Sequence, residues 1–198
     1  MSWLAAVDVR LWQAVIAGAF VAAGWLVNGW QNRREAARLR DEKLRDVHRA
    51  LFAEIGANLA NLGSAAELDS YCEQIVGRMR QDDGFVPFIP KERADRVFES
   101  IVENIHILPR TSIDPVVAYY GQIERIAALA DDMRGAAFAA LSKERQIDMY
   151  RDYIAMKRQA LAFGDYAKLL IDAYAKGGRA GAVEAEARER RRLTGPAQ

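Results

Sequence analysis

The stretch Leu11-Trp12-Gln13-Ala14-Val15-Ile16-Ala17-Gly18-Ala19-Phe20-Val21-Ala22-Ala23-Gly24-Trp25-Leu26-Val27-Asn28-Gly29-Trp30-Gln31-Asn32 carries no charged side chain, and Arg33-Arg34 follow it at once. About 20 apolar residues in a helix span a hydrocarbon core of roughly 30 Å. All four tryptophans lie within the first thirty positions, and Trp12 and Trp30 bracket the stretch. At about 1.5 Å of rise per residue they stand roughly 27 Å apart, a spacing suited to two interfacial anchors beside the Arg33 and Arg34 charges. The stretch therefore predicts a transmembrane helix over residues 11–32. A cleaved signal peptide would want a basic leader, and the charged side chains before Leu11 are one acid and one base, Asp8 and Arg10. A buried core helix would have little use for this tryptophan cluster.

The flanks predict sidedness. Between residues 33 and 49 stand seven bases, Arg33, Arg34, Arg38, Arg40, Lys43, Arg45 and Arg49, whereas the N-terminal side offers Arg10 and the α-amine. Lysine and arginine close to a span favour the cytoplasmic face, and acids count for little in that rule. Residues 1–10 are thus expected outside and residues 33–198 in the cytoplasm, at the inner membrane if the cell is bacterial. Within the span, Ala14, Gly18 and Ala22 recur at spacing four. Small residues so placed let two helix backbones approach and predict self-association in the bilayer.

Past the span, the whole-chain net charge of only +1 gives a nucleic-acid-binding reading no support, and no nucleic-acid partner is expected. One cysteine, Cys72, excludes an intramolecular disulfide. Abundant alanine and the absence of sustained alternating patterns point to helices. Residues 33–43 read as a charged juxtamembrane helix held by opposite charges such as Glu35 with Arg38 and Asp41 with Arg45, continuing the span as a rod.

Residues 44–178 read as a helical bundle. Leu44, Val47, Leu51, Ile55, Leu59 and Leu62 form one stripe at a mean step of about 3.6, the period of a packed helix rather than of a supercoiled stalk. Gly63-Ser64 is a bend, and Leu68, Cys72, Ile75, Val76 and Met79 continue the stripe to Asp82-Asp83-Gly84. Phe85-Val86-Pro87-Phe88-Ile89-Pro90 has two prolines and cannot be helix interior. A loop this apolar must be covered or must bind something, so it folds over the bundle end or presents Phe85, Phe88 and Ile89 to a partner or lipid. A third helix is expected over 91–107, with Ala94, Val97, Phe98, Ile101, Val102 and Ile105 on one face. A fourth is expected from an Asp114 cap with Pro115 in its first position, and a fifth from a Ser142 cap, kinked at Gly164. Gly177-Gly178 closes the domain, and 179–198, rich in Ala, Glu and Arg, reads as a basic, disordered tail.

No phosphate loop, metal-spaced His or Cys pair, or nucleophile elbow is present, so neither an enzyme nor a cofactor is expected. His48, among Asp46 and Arg49, reads as a surface residue. Glu54 and Asn58 share one face of an otherwise apolar helix and would need partners if buried, for which Tyr119, Tyr120 and Gln122 are candidates. Glu54, Asn58 and Tyr120 are thus the candidate ligand-holding set. A polar layer that fixes helix register is the plainer reading.

The order of a tryptophan-flanked anchor, Asn32-Arg33-Arg34, Glu54-Ile55-Gly56-Ala57-Asn58-Leu59, Leu108-Pro109 and Val116-Val117-Ala118-Tyr119-Tyr120 resembles a diffuse group of uncharacterised bacterial membrane-anchored helical proteins. That resemblance implies topology and no activity. The expectation is an all-α protein, one N-terminal transmembrane helix followed by a soluble four- to five-helix bundle. It would act as a non-enzymatic interaction or scaffold protein, with the lipid bilayer and a protein or a second copy as partners. A membrane-tethered sensor that binds a small ligand in the bundle is the first alternative, and a phage- or toxin-type permeabilising protein the second.

Overall fold

The structure, a computed structural model, describes residues 9–91 and 96–194. The expected outer tail, except Val9 and Arg10, and Ala94 of the expected third helix lie outside the described residues. The protein is all-α, with no strand among the described residues. The helices are α1 (Val9–Leu62), α2 (Ala65–Gln81), α3 (Arg96–Ile101), a 3₁₀ turn over Val102–Ile107, α4 (Arg110–Arg134), α5 (Ala136–Ala139) and α6 (Lys143–Thr194). The chain divides into two compact units between Leu44 and Arg45.

The first unit is the early part of α1. It contains the one helix, among the described residues, long and apolar enough to cross a membrane, with mean hydropathy 1.3 and none of its apolar window buried. Phe20 and Trp25 are 77 and 80 % exposed, and Trp12 and Trp30 are also open. The Arg34 guanidinium lies over the Trp30 ring, 5.4 Å from its centroid. Nearer Leu44, Arg38 Nε reaches Glu42 Oε1 at 3.1 Å, an i,i+4 pair rather than the expected pairing with Glu35.

The second unit is a helical bundle. From Arg45, α1 runs antiparallel to α6: His48 meets Tyr174, Gly56 meets Lys168 and Leu59 meets Gly164. Beyond Leu62 the chain turns through Gly63, whose φ of 76° favours a residue without Cβ, and its N–H closes on the Leu59 carbonyl. Ser64 then starts α2 with a reciprocal capping box: its Oγ accepts from the Glu67 amide, and Glu67 Oε2 accepts from the Ser64 amide. Those Ser64 donors hold the Glu67 carboxyl below its ordinary value. α2 continues along α6, where Asp69 pairs with Arg158 at 3.2 Å.

Leu68, Cys72, Ile75, Val76 and Met79 of α2 enter the core with Ile126, Met133, Phe138, Tyr150 and Ile154. Burial pushes the Cys72 thiol up, as befits an apolar core residue. α2 stops at Gln81, directly before Asp82-Asp83-Gly84, and Asp82 Oδ1 accepts the Gly84 amide.

Loop 85–90 has no regular secondary structure and alternates inward and outward side chains. Ile89 is 3 % exposed and Phe85 packs against the core, whereas Phe88 is 86 % exposed. Lys143 Nζ donates to the Phe85 carbonyl at 2.9 Å, and Arg78 covers the Phe85 ring. Of Phe85, Phe88 and Ile89, two thus serve the bundle and only Phe88 turns outward.

Three expectations are corrected. Of the third helix, the described part is α3 over Arg96–Ile101 followed by a 3₁₀ turn over Val102–Ile107, with Lys91 outside it and Val102 exposed. The fourth begins at Arg110, not at an Asp114 cap, because Pro109 ends the preceding turn and its carbonyl accepts from Ser112 and Ile113; Pro115 lies inside the helix, buried. The disordered tail is helix to Thr194, and α6 changes direction at Gly178 (φ 59°, ψ −153°). Past that kink Gly181 backs onto the Ala173 carbonyl, so close that a Cβ there would sit 2.7 Å from the oxygen, and Ala182 is fully buried. Small residues, not an apolar stripe, hold this segment in place.

Candidate functional site

Glu54 lies half-buried on α1, and three donors converge on its carboxylate. Oε1 accepts from the Val97 amide at 2.7 Å, and Oε2 accepts from the Phe98 amide at 3.1 Å and from Tyr120 Oη at 2.5 Å. Val97 and Phe98 belong to α3, so an acid on one helix receives two backbone amides of another. The Phe98 ring stacks on Tyr120, centroids 4.0 Å apart and 7° from parallel. Glu54, Tyr120 and Phe98 form one clasp that joins α1, α3 and α4.

Asn58 stands one turn further along α1, beside the Tyr119 hydroxyl. Tyr119 is fully buried, and its hydroxyl makes no bond of full hydrogen-bond geometry. Burial pushes its pKa up to about 12; the Asn58 amide opposes that rise and the Glu54 charge adds to it. Gln122 serves elsewhere, donating to the Met156 carbonyl of α6 at 3.2 Å. The structure thus brings Tyr120 to Glu54 and Tyr119 to Asn58, while Gln122 joins neither. With its oxygens taken by backbone and phenol donors, Glu54 serves as a strut between helices.

His48 departs most from the sequence expectation. It is 4 % exposed, not a surface residue. Its Nε2 lies 2.9 Å from Ser112 Oγ, and that hydroxyl donates to the Pro109 carbonyl at 3.1 Å. The chain of donors assigns the Nε2–H tautomer to His48. The Tyr174 ring meets the imidazole edge-on at 5.2 Å. Burial holds the His48 pKa down to about 4, against 6.5 for the free side chain.

A pH prediction follows from that shift. Between about pH 6.5 and 4 the unfolded chain binds a proton at His48 that the folded chain refuses, so stability falls as pH falls through this window. The loss from about pH 7.5 to about pH 5 is roughly 2 kcal/mol. Unfolding titrations should show it in the parent chain, and His48→Gln should remove it. An equally steep fall in the variant would contradict the account.

Among the described residues no group of three or more His, Cys, Asp and Glu side chains is placed to hold a metal ion. One cavity, of about 620 Å³, opens at the start of α4, between that helix and the two arms of α6. No sequence pattern marks it, because its walls come from segments joined only by the fold.

Comparison of the chain with protein-family models, with curated protein sequences and with solved structures returns no match.

Proposed function

We propose that this chain is a membrane-anchored helical interaction protein, held by residues 11–32, that carries its bundle on the cytoplasmic side. The observation that supports it most is the apolar helix surface left open from Trp12 to Trp30. Burying a tryptophan or phenylalanine side chain is worth about 1.5–3 kcal/mol, and a soluble protein rarely leaves so continuous an apolar surface in water. A bilayer would cover it, with Trp12 and Trp30 at the two interfaces and Arg33 and Arg34 at the cytoplasmic headgroups. The uncovered Ala14, Gly18 and Ala22 stripe supports self-association in the membrane, and outward Phe88 is the loop residue most available to a protein partner. No enzymatic role is proposed.

A C-terminal fusion tests the sidedness. A reporter active only in the cytoplasm should work there, and one active only outside should be silent; the reverse pattern would overturn the orientation. Cross-linking in intact membranes followed by solubilisation should recover an oligomer or a stoichiometric partner, and recovery of bare monomer would overturn the interaction role.

A second reading, a tethered regulator that binds a small ligand in its bundle, is favoured by the 620 Å³ cavity, which lies apart from Glu54 and Asn58.

A further inference from the structure

The cavity has the make-up of a small-molecule site: a concave, mostly apolar wall with a few polar groups. Pro115 and Ala118 of α4, Phe163 and Leu170 before the α6 kink, and Val183 after it supply the apolar surface. Its volume lies within the roughly 300–1,000 Å³ usual for ligand pockets.

The polar groups favour an anion. Arg110 and Arg179 both line the cavity, and neither guanidinium is engaged in a hydrogen bond or ion pair among the described residues. The same edge is the N-terminus of the 25-residue α4, with no side-chain cap and no acid in its first turn. Free N–H groups and the helix dipole make such an end attractive to negative charge. Two carboxylates also lie on the wall. Glu186 is engaged by Arg190 at 2.9 Å, and Asp114 is exposed.

We infer that this cavity binds a small aromatic monocarboxylate. The ring lies against Phe163, Leu170 and Pro115, and the carboxylate is met by Arg110 and Arg179 at the start of α4. The inference rests on the regulator reading and gives it a ligand class. Because Arg179 and Val183 follow the Gly178 kink, an occupied cavity also fastens the second arm of α6 to α4.

The test uses the full chain in nanodiscs of zwitterionic phosphatidylcholine, titrated calorimetrically with naphthalene-2-carboxylate, with empty nanodiscs as the blank. Saturable binding at one site is expected. Arg110→Gln and Arg179→Gln should each weaken it about tenfold, the loss of one charge-assisted contact. The uncharged naphthalene-2-carboxamide should bind at least tenfold more weakly than the acid. Ala118→Trp, which fills the cavity from an exposed helix position, should abolish binding while the melting curve is kept; Val183→Trp is the second filling variant should the first not fold. No heat above the blank would overturn the site, and so would unchanged affinity in a folded filling variant. An equally tight carboxamide would overturn the anionic class. None of these outcomes bears on the membrane anchor, so failure here and failure of the anchor are told apart.

Discussion

Replacing Glu54 with alanine is expected to lower the unfolding free energy of the bundle by about 3 kcal/mol. The substitution strips the acceptor from the Val97 and Phe98 amides and from Tyr120 Oη in one step. Hydrogen bonds to a charged group are worth about 1.5–3 kcal/mol each, and the partly open position of Glu54 lets water replace part of the loss. Glu54→Gln keeps the shape and an acceptor oxygen but not the charge, and should cost roughly half as much. Tyr120→Phe removes one donor and keeps the stack on Phe98, for about 1 kcal/mol. Chemical unfolding of the full chain checks the order, alanine worse than glutamine and glutamine worse than the tyrosine variant. A change below about 1 kcal/mol in Glu54→Ala would mean that the clasp does not hold α3.

Gly164→Leu should be at least as damaging, at about 3 kcal/mol or more. The reason is distance: a Cβ at this position would stand 2.7 Å from Leu59 Cδ2 and 3.0 Å from Tyr119 Cε2. Tyr119 is fully buried and Leu59 nearly so, so neither can swing into solvent. Replacing a helical glycine ordinarily gains up to about 1 kcal/mol in propensity, and here the clash outweighs that gain. Leu59→Ala in the same chain should recover part of the loss, because it removes the nearest obstruction. A double-mutant cycle would show coupling of about 1 kcal/mol or more, whereas strict additivity would contradict the contact.

Where a side chain's neighbours repeat at helical spacing, the sequence foretells its burial. Leu68, Cys72, Ile75, Val76 and Met79 are legible in this way, as are Leu51, Ile55 and Leu59. Glu54 is legible for another reason: an acid on an apolar stripe requires a partner, and Tyr120 is among the few polar groups able to reach it. The α3 amides that complete its shell are not legible, since backbone donors leave no mark in a sequence. His48 fails for a similar reason. It stands among charged residues, while the Ser112 that receives its hydrogen bond lies 64 positions away. Gly164 is read as a kink because a glycine in a helix signals either a bend or a close approach, and only the packed structure tells which. The second arm of α6 defeats hydropathy altogether, because Gly181 and Ala182 pack through smallness and not through apolar bulk. The cavity inherits that blindness, since Arg179 and Val183 reach it only once the chain has turned at Gly178.

The central claim is that residues 11–32 reside in a bilayer. It is tested most directly by flotation of the full chain, reconstituted with phosphatidylethanolamine–phosphatidylglycerol vesicles and washed in alkaline carbonate before centrifugation through a density gradient. The account predicts that the chain rises with the lipid after the wash. A folded chain left in the dense, lipid-free fractions would contradict it.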